Sequence, residues 1–203
     1  MAKRIRFTTA AQVAEAYPEM ADEFGDAPED LHPLGYVQQL VEADNTTPAL
    51  MFTALSLPKR DAVWWGCLAL RGMGSRDPLT AEGLHFAEAW VRNPEEQERR
   101  AAGEFAQENY FEGAGPWIAF AAFTTSGSMA PAGLQAVPPS TEVCGKSVAM
   151  AILLAAEDED VFRMMDNHRC AIQSAVDFAS DGDGTGPWAE RSRRLAAERD
   201  PPS

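Results

Sequence analysis

The residues with the most obvious chemical potential are His168 and Cys170, two positions apart in NHRCAIQ. Histidine beside cysteine can form a base and nucleophile, or half of a metal site. The surrounding pattern is helical, however, and in a helix residues two apart project about 200° from each other. The two side chains therefore cannot work together on one helix. His168 falls on the apolar stripe Val161, Met165, His168, Ile172, Ala175, Val176, Ala179, which predicts a core histidine with one satisfied hydrogen bond. His85 falls on a polar face, and His32 precedes Pro33 in a linker or helix start. No pair shows the spacing of HExxH or CxxC. Ser126 and Ser128 in TTSGSMAPAG lack the G-x-S-x-G elbow that activates a serine.

The segment SDGDGTGPWAE (180–190) is the nearest approach to a metal loop. With Asp181, Asp183 and Gly184 at loop positions three, five and six, Glu190 occupies position twelve of a calcium loop. Position one is then Ala179 and position eight a glycine, so the first ligand is missing. The bland reading is a flexible turn. Runs such as EDED and PEEQE supply paired carboxylates, but a solvated run gives the opposite of the apolar surround that raises a catalytic carboxyl's pKa. Catalytic residues, cofactor-binding residues and metal ligands are therefore none, no cofactor is expected, and a non-enzyme is favoured.

The elements that would position any site are helical. Thr47-Pro48 and Asn93-Pro94-Glu95-Glu96 read as helix starts, with a capping side chain followed by proline in the first turn, and either Thr80 or Asp77 caps the helix AEGLHFAEAWV. The stripe Leu84, Phe86, Ala87, Trp90, Val91 faces inward from one helix, with His85, Glu88 and Arg92 on its wet side. The next helix points Ala102, Phe105, Ala106 and Tyr110 inward, with QERR and Glu108 solvated. The pentads GAGPW (113–117) and GTGPW (184–188) read as helix-start punctuation. SGSMAPAGLQAVPPST is too long for a tight turn and is predicted to pack over the body as an ordered loop. IRFTT is a possible short strand, but no convincing alternation follows it. The expectation is an all-α fold, a compact multi-helix domain of seven to nine helices, mostly antiparallel neighbours. Residues 1–32 form an N-terminal arm and acidic linker, 33–180 the helical domain, and 181–203 a C-terminal loop and charged tail.

Composition narrows the partners. The chain has 203 residues, 31 acids against 17 bases and a formal net charge of −14. Such a surface repels phosphate backbones and anionic membranes, so no nucleic acid and no membrane partner are expected. The start MAKRIRFTTAAQ lacks the apolar run of a signal peptide. WIAFAAF and VAMAILLAA fall well short of the ~20 residues of a membrane span. Three widely spaced cysteines, Cys67, Cys144 and Cys170, suit reduced thiols. A cytoplasmic protein is the expectation.

The stretch LPKRDAVWWGCLALR (57–71) places two tryptophans beside Cys67. On a helical wheel Val63, Trp64, Cys67, Leu68 and Leu70 share a broad side, which makes Trp64 a core anchor and Cys67 an inert buried thiol. Trp65 lies opposite, among Ala62, Gly66 and Ala69, either in the core or at an interface. Trp65, Trp117 and Trp188 are the candidate interaction surface.

Three segments carry a resemblance: LPKRDAVWWGCLALR, AEAWVRNPEEQERRAA, and GPWIAFAAFTTSGSMAPAG with its proline-rich loop. Over about residues 50–155 they resemble a family of bacterial all-helical proteins often encoded near type VI secretion genes. The resemblance contains no catalytic motif and carries no site residues. It implies a non-catalytic protein-interaction module in the cytoplasm, an accessory, adaptor or regulator whose partner is a secretion-system component or effector. Two alternatives stand beside it. One is an enzyme or small-ligand-binding protein with a dispersed site between helices, lined by Trp64, Trp65, Trp90, Trp117, Phe120 and Phe123. The other is an immunity protein binding a toxin.

Overall fold

The computed structural model describes residues 4–131 and 133–199. Among these there are eleven α-helices, one 3-10 turn and no strand. The all-α class holds, and the helix count exceeds the seven to nine expected. The surplus comes partly from the N-terminal arm, which folds into α1 (Ala10–Ala16), a 3-10 turn (Pro18–Met20) and α2 (Ala21–Phe24). Residues 5–8 take no strand. Then follow α3 (Pro33–Glu42), α4 (Thr46–Ser56), α5 (Lys59–Met73), α6 (Pro78–Arg92) and α7 (Glu96–Glu108). The chain ends with α8 (Ala114–Phe123), α9 (Val143–Ala156), α10 (Val161–Ala179) and α11 (Gly186–Arg199). The last residues of the expected charged tail, 200–203, lie outside the described residues.

Local chemistry explains most of the boundaries. Thr9 and Gln12 form a reciprocal capping box at the start of α1. His32 caps α3 through its ring, with Nδ1 accepting from the Leu34 N–H at 3.3 Å and Pro33 in the first turn. Asp77 accepts from the N–H groups of Leu79 and Thr80 to start α6, and Asp160 accepts from Phe162 to start α10. Both GPW pentads are helix starts, for α8 and α11. The Asn93-Pro94 signal is misleading. Asn93 ends α6, α7 begins two residues after Pro94, and the Asn93 amide donates to Glu98 Oε1 at 2.6 Å. The Thr47-Pro48 signal is displaced by one residue, since α4 opens at Thr46 after Asn45.

The core is one continuous cluster running from Ala10 and Val13 to Ala179 and Trp188. Met20 and Phe24, inside the acidic stretch 19–30, are buried in it, and the Phe24 ring meets Phe52 edge-on at 5.0 Å. Helix α8 lies at its centre, packed against α5, α6, α7 and α9. Its sequence AGPWIAFAAF is apolar on every side, as a helix enclosed by neighbours must be. A methyl group added at Gly83 of α6 would stand 2.1 Å from the Gly115 carbonyl oxygen of α8, so the two backbones touch there.

The structure settles Trp65 and reverses the readings of Trp64, Glu88, Arg99 and Tyr110. Trp65 is the enclosed tryptophan, 0% exposed, and its indole N–H donates to the Ala171 carbonyl of α10 at 2.9 Å. Trp64 is only half-buried. A helix that is apolar around most of its girth gives no single inward face, and the position of α10 decides which tryptophan is covered. Glu88 and Arg99, both expected on wet faces, are also buried. Glu88 is neutralised by Arg71 and by Arg92 at 2.7 Å. Arg99 grips Glu96 at 2.7 Å, the Phe123 carbonyl at 2.6 Å and the Ser128 carbonyl at 3.1 Å. With Arg100 donating to the Ala130 carbonyl at 2.7 Å, it pins the predicted ordered loop after α8 to α7. Tyr110, expected inside, is 83% exposed because the turn after α7 swings it outward.

Gly83→Ala should destabilise the protein by about 3 kcal/mol or more, because the methyl meets backbone that cannot rotate away. Trp65→Ala should cost about 3–5 kcal/mol and Trp64→Ala clearly less. Urea unfolding of the three variants measures this ranking; equal losses at the two tryptophans would contradict the burial assignment.

Candidate functional site: an apolar groove between α4, α8 and α9

The expected chemical residues do not assemble into a reactive centre. Cys67 and Cys144 are fully enclosed, and burial pushes the Cys144 thiol up to about 12. Cys67 is driven still higher by burial, with Glu88 adding to the effect. Burial also raises half-buried Cys170. Thiols this weakly acidic hold little of the thiolate that a nucleophile needs. His168 is buried on α10, where Nδ1 and the Thr46 hydroxyl share a 2.9 Å hydrogen bond, and burial holds its pKa below the ordinary value. It is the satisfied core histidine that the stripe predicted. Among the described residues, no group of three or more His, Cys, Asp or Glu is arranged to hold a metal. In the 180–190 loop Asp183 accepts from Thr185, while Asp177 of α10 accepts from the Gly184 N–H at 2.8 Å.

The three candidate tryptophans have different fates. Trp65 and Trp188 are both buried, which removes them from any free surface. The Trp188 ring occupies the space where a methyl on Gly72 of α5 would lie, and in this way it anchors α11 to the body. Trp117 alone borders open space.

That space is a groove of about 480 Å³. Trp117 and Phe120 of α8 form one wall, Pro48 and Met51 of α4 another, and Val143, Lys146, Ser147 and Met150 of α9 a third. Met20 and Glu23 close the end beside α2. Trp117 and Phe120 are one helical turn apart, and each is braced by Phe111, at 5.3 and 4.9 Å between ring centres. Phe111 reaches them because the turn after α7 adopts left-handed backbone at Tyr110 and Phe111. Ser147 spends its hydroxyl on the Val143 carbonyl at 2.7 Å, so it offers no donor to the groove. With Thr47 the other hydroxyl in the lining, what remains is a chiefly apolar surface that includes Met51 and Met150, side chains flexible enough to reshape around a guest, above the core residue Met20.

Charge gathers at one end. Glu23 lines the groove beside α2, and Glu19 and Asp22 stand in the same short stretch of sequence. Lys146 is the groove's one cation. The end of the groove nearest α2 is thus acidic, on a chain that is acidic as a whole. A second hollow, about 460 Å³ beside α7, includes Glu96, Arg100, Phe123 and Met129. Its arginine is already engaged by Glu96 and the Ala130 carbonyl. Sequence reasoning selected Trp117 but missed Met20, Met51 and Met150. They belong to separate helices, and no local pattern links them.

The titratable groups set a pH response. His168 is depressed in the folded state, so its contribution is complete above about pH 6.5 and is lost as pH falls toward its folded value. Glu96 is held down to about 2 by hydrogen bonds from Arg99 and Arg100. Its contribution is present above its ordinary carboxylate range and is lost as pH falls toward 2; being largely exposed, it is small. Melting temperature should therefore fall in two stages on acidification. His168→Asn should flatten the upper stage and Glu96→Gln the lower; unchanged profiles in both variants would contradict these assignments.

No curated protein and no solved structure matches the chain. A family match does exist, and it runs from Tyr36 in α3 to Ala179 at the end of α10. It contains the α4, α8 and α9 walls of the groove and leaves out α1, α2 and α11. By this match the chain belongs to DUF6931, a family of unknown function.

Proposed function

We propose that the protein is a non-catalytic interaction module, and that the groove between α4, α8 and α9 receives an apolar segment of a protein partner. The groove itself carries this reading. It opens to the surface, is lined chiefly by a braced aromatic pair and by methionines, and brings no cluster of polar groups together to orient a reacting substrate. Grooves of this kind accept the apolar face of a helix. The acidic end at Glu19, Asp22 and Glu23, on a chain of net charge −14, favours a segment whose apolar residues are flanked by Lys or Arg. No helix among the described residues is long and apolar enough to cross a membrane, in keeping with a partner met in solution. The resemblance over residues 50–155 extends the reading to a cytoplasmic accessory or regulatory role beside a type VI secretion system. There the partner is a component or an effector, including a toxin held inactive.

The test uses a synthetic amphipathic helix of alternating Leu and Lys turns, with two controls: the same helix with Glu for Lys, and one with Ser for Leu. The Leu/Lys peptide should bind with a dissociation constant in the micromolar range. Met51→Glu should weaken it at least tenfold with the circular dichroism unchanged, and both control peptides should bind at least tenfold more weakly. Equal binding of the Ser/Lys control, or indifference to Met51→Glu, would refute docking in the groove.

A further inference from the structure

The opening of the paired-tryptophan helix builds a second site, unlike the groove in every chemical respect. Arg4, Arg60, Asp61, Trp64, Val91 and Arg92 surround a surface pocket of about 350 Å³. Three guanidiniums in one small pocket are unexpected on a chain with 31 acids and 17 bases. Several other arginines are bound to carboxylates, as in Arg99 and Arg100 with Glu96, Arg169 with Asp44, and Arg191 with Asp166. Among the described residues, Arg60 forms no ion pair with a carboxylate. Its Nε and Nη2 donate to the Val91 carbonyl at 2.9 and 2.5 Å, which fixes the fork and leaves its other donors open. Arg4 lies over the face of Phe178, 4.1 Å from the ring centre, and among the described residues its N–H edge has no hydrogen-bond partner. Arg92 shares buried Glu88 with Arg71 and keeps the rest of its five donors.

Trp64 forms the apolar side of the same pocket. It is half-buried against the core, and among the described residues no ring or guanidinium stacks on it. Asp61 adds one acceptor. The three chemistries together describe a ligand with a multiply charged oxyanion, a flat ring and hydroxyl or amino donors. Separate guanidiniums suit the terminal oxygens of a phosphate, whereas one arginine is enough for a carboxylate. An indole face suits a nucleobase, and the Asp61 carboxylate suits a sugar hydroxyl. The volume lies within the range of small-ligand sites. The chain's overall negative charge is no obstacle at contact distance, since salt screens charges beyond about 8–10 Å.

We infer that this pocket is a binding site for a small phosphorylated ligand with a planar ring, of the nucleoside monophosphate class, with Arg4, Arg60 and Arg92 on the phosphate and Trp64 beneath the base. The site lies on other residues than the groove and stands whether or not the groove binds a peptide.

Isothermal titration of the full chain at about 50 mM salt with AMP, GMP, CMP and UMP tests this. At least one nucleotide should bind one to one with a dissociation constant below 1 mM. Adenosine alone and inorganic phosphate alone should each bind at least tenfold more weakly. Arg60→Gln and Trp64→Leu should each weaken the nucleotide about tenfold, with Arg60→Lys intermediate. Arg4→Gln gives the same reading should Arg60→Gln fail to fold. No heat with any nucleotide, equal binding of phosphate alone, or binding untouched by both the arginine and the Trp64 changes would overturn the assignment.

Discussion

The structure depends on one close approach, the backbone contact between Gly83 of α6 and Gly115 of α8. Only residues without a side chain allow it, and it draws α8 into the middle of the molecule. Because α8 is so deep, its short sequence must be apolar all round, and the small residues Ala114, Ala119, Ala121 and Ala122 leave room for the helices around it. Four helices cover α8, but they do not cover all of it. Trp117 and Phe120 are left facing α4 and α9 across a gap, and that gap is the groove. The candidate site is therefore a consequence of how the core packs.

A second organising feature is the use of arginine. Arg99 lies inside the molecule because it closes three contacts at once, to Glu96, Phe123 and Ser128, and because its guanidinium stacks 4.7 Å from the Phe123 ring centre. The Glu88 pair with Arg71 and Arg92 works in the same way between α5 and α6. A buried charge is tolerable only when it is paired and hydrogen-bonded, and both of these are. The few cations not used in this way are conspicuous against so acidic a surface. Two of them, Arg4 and Arg60, meet at Trp64. The same helix start thus holds a wet tryptophan at a cationic pocket and, one residue later, a dry one at the centre of the core.

Much of the fold was legible beforehand. The all-α class, the GPW starts, the ordered loop after α8 and the core role of His168 all followed from local rules of helix termination and periodicity, whereas the choice of Asp77 over Thr80 as the cap of α6 came from the structure. Errors arose where a local rule had two outcomes. Asn93-Pro94 satisfies the signal for a helix start, yet Asn93 closes the preceding helix instead. Glu88 and Arg99 lie on faces that read as polar, and only partners from elsewhere in the chain or the loop beyond α8 bring them inside. Of the groove, Trp117 was visible in the sequence, but Met20, Met51 and Met150 were not, because they are separated by roughly 30 and 100 residues of intervening chain.

By itself the sequence determined the helices, the acidic balance and the lack of a linear catalytic motif, because propensity, capping and charge are properties of neighbouring residues. Tertiary structure alone decided which of two adjacent tryptophans is dry. Trp64 and Trp65 are equally apolar, and the helical wheel of LPKRDAVWWGCLALR points to Trp64 as the core anchor while leaving Trp65 open. The Ala171 carbonyl of α10 accepts the Trp65 N–H, and a residue 106 positions away thereby settles what the local pattern leaves open.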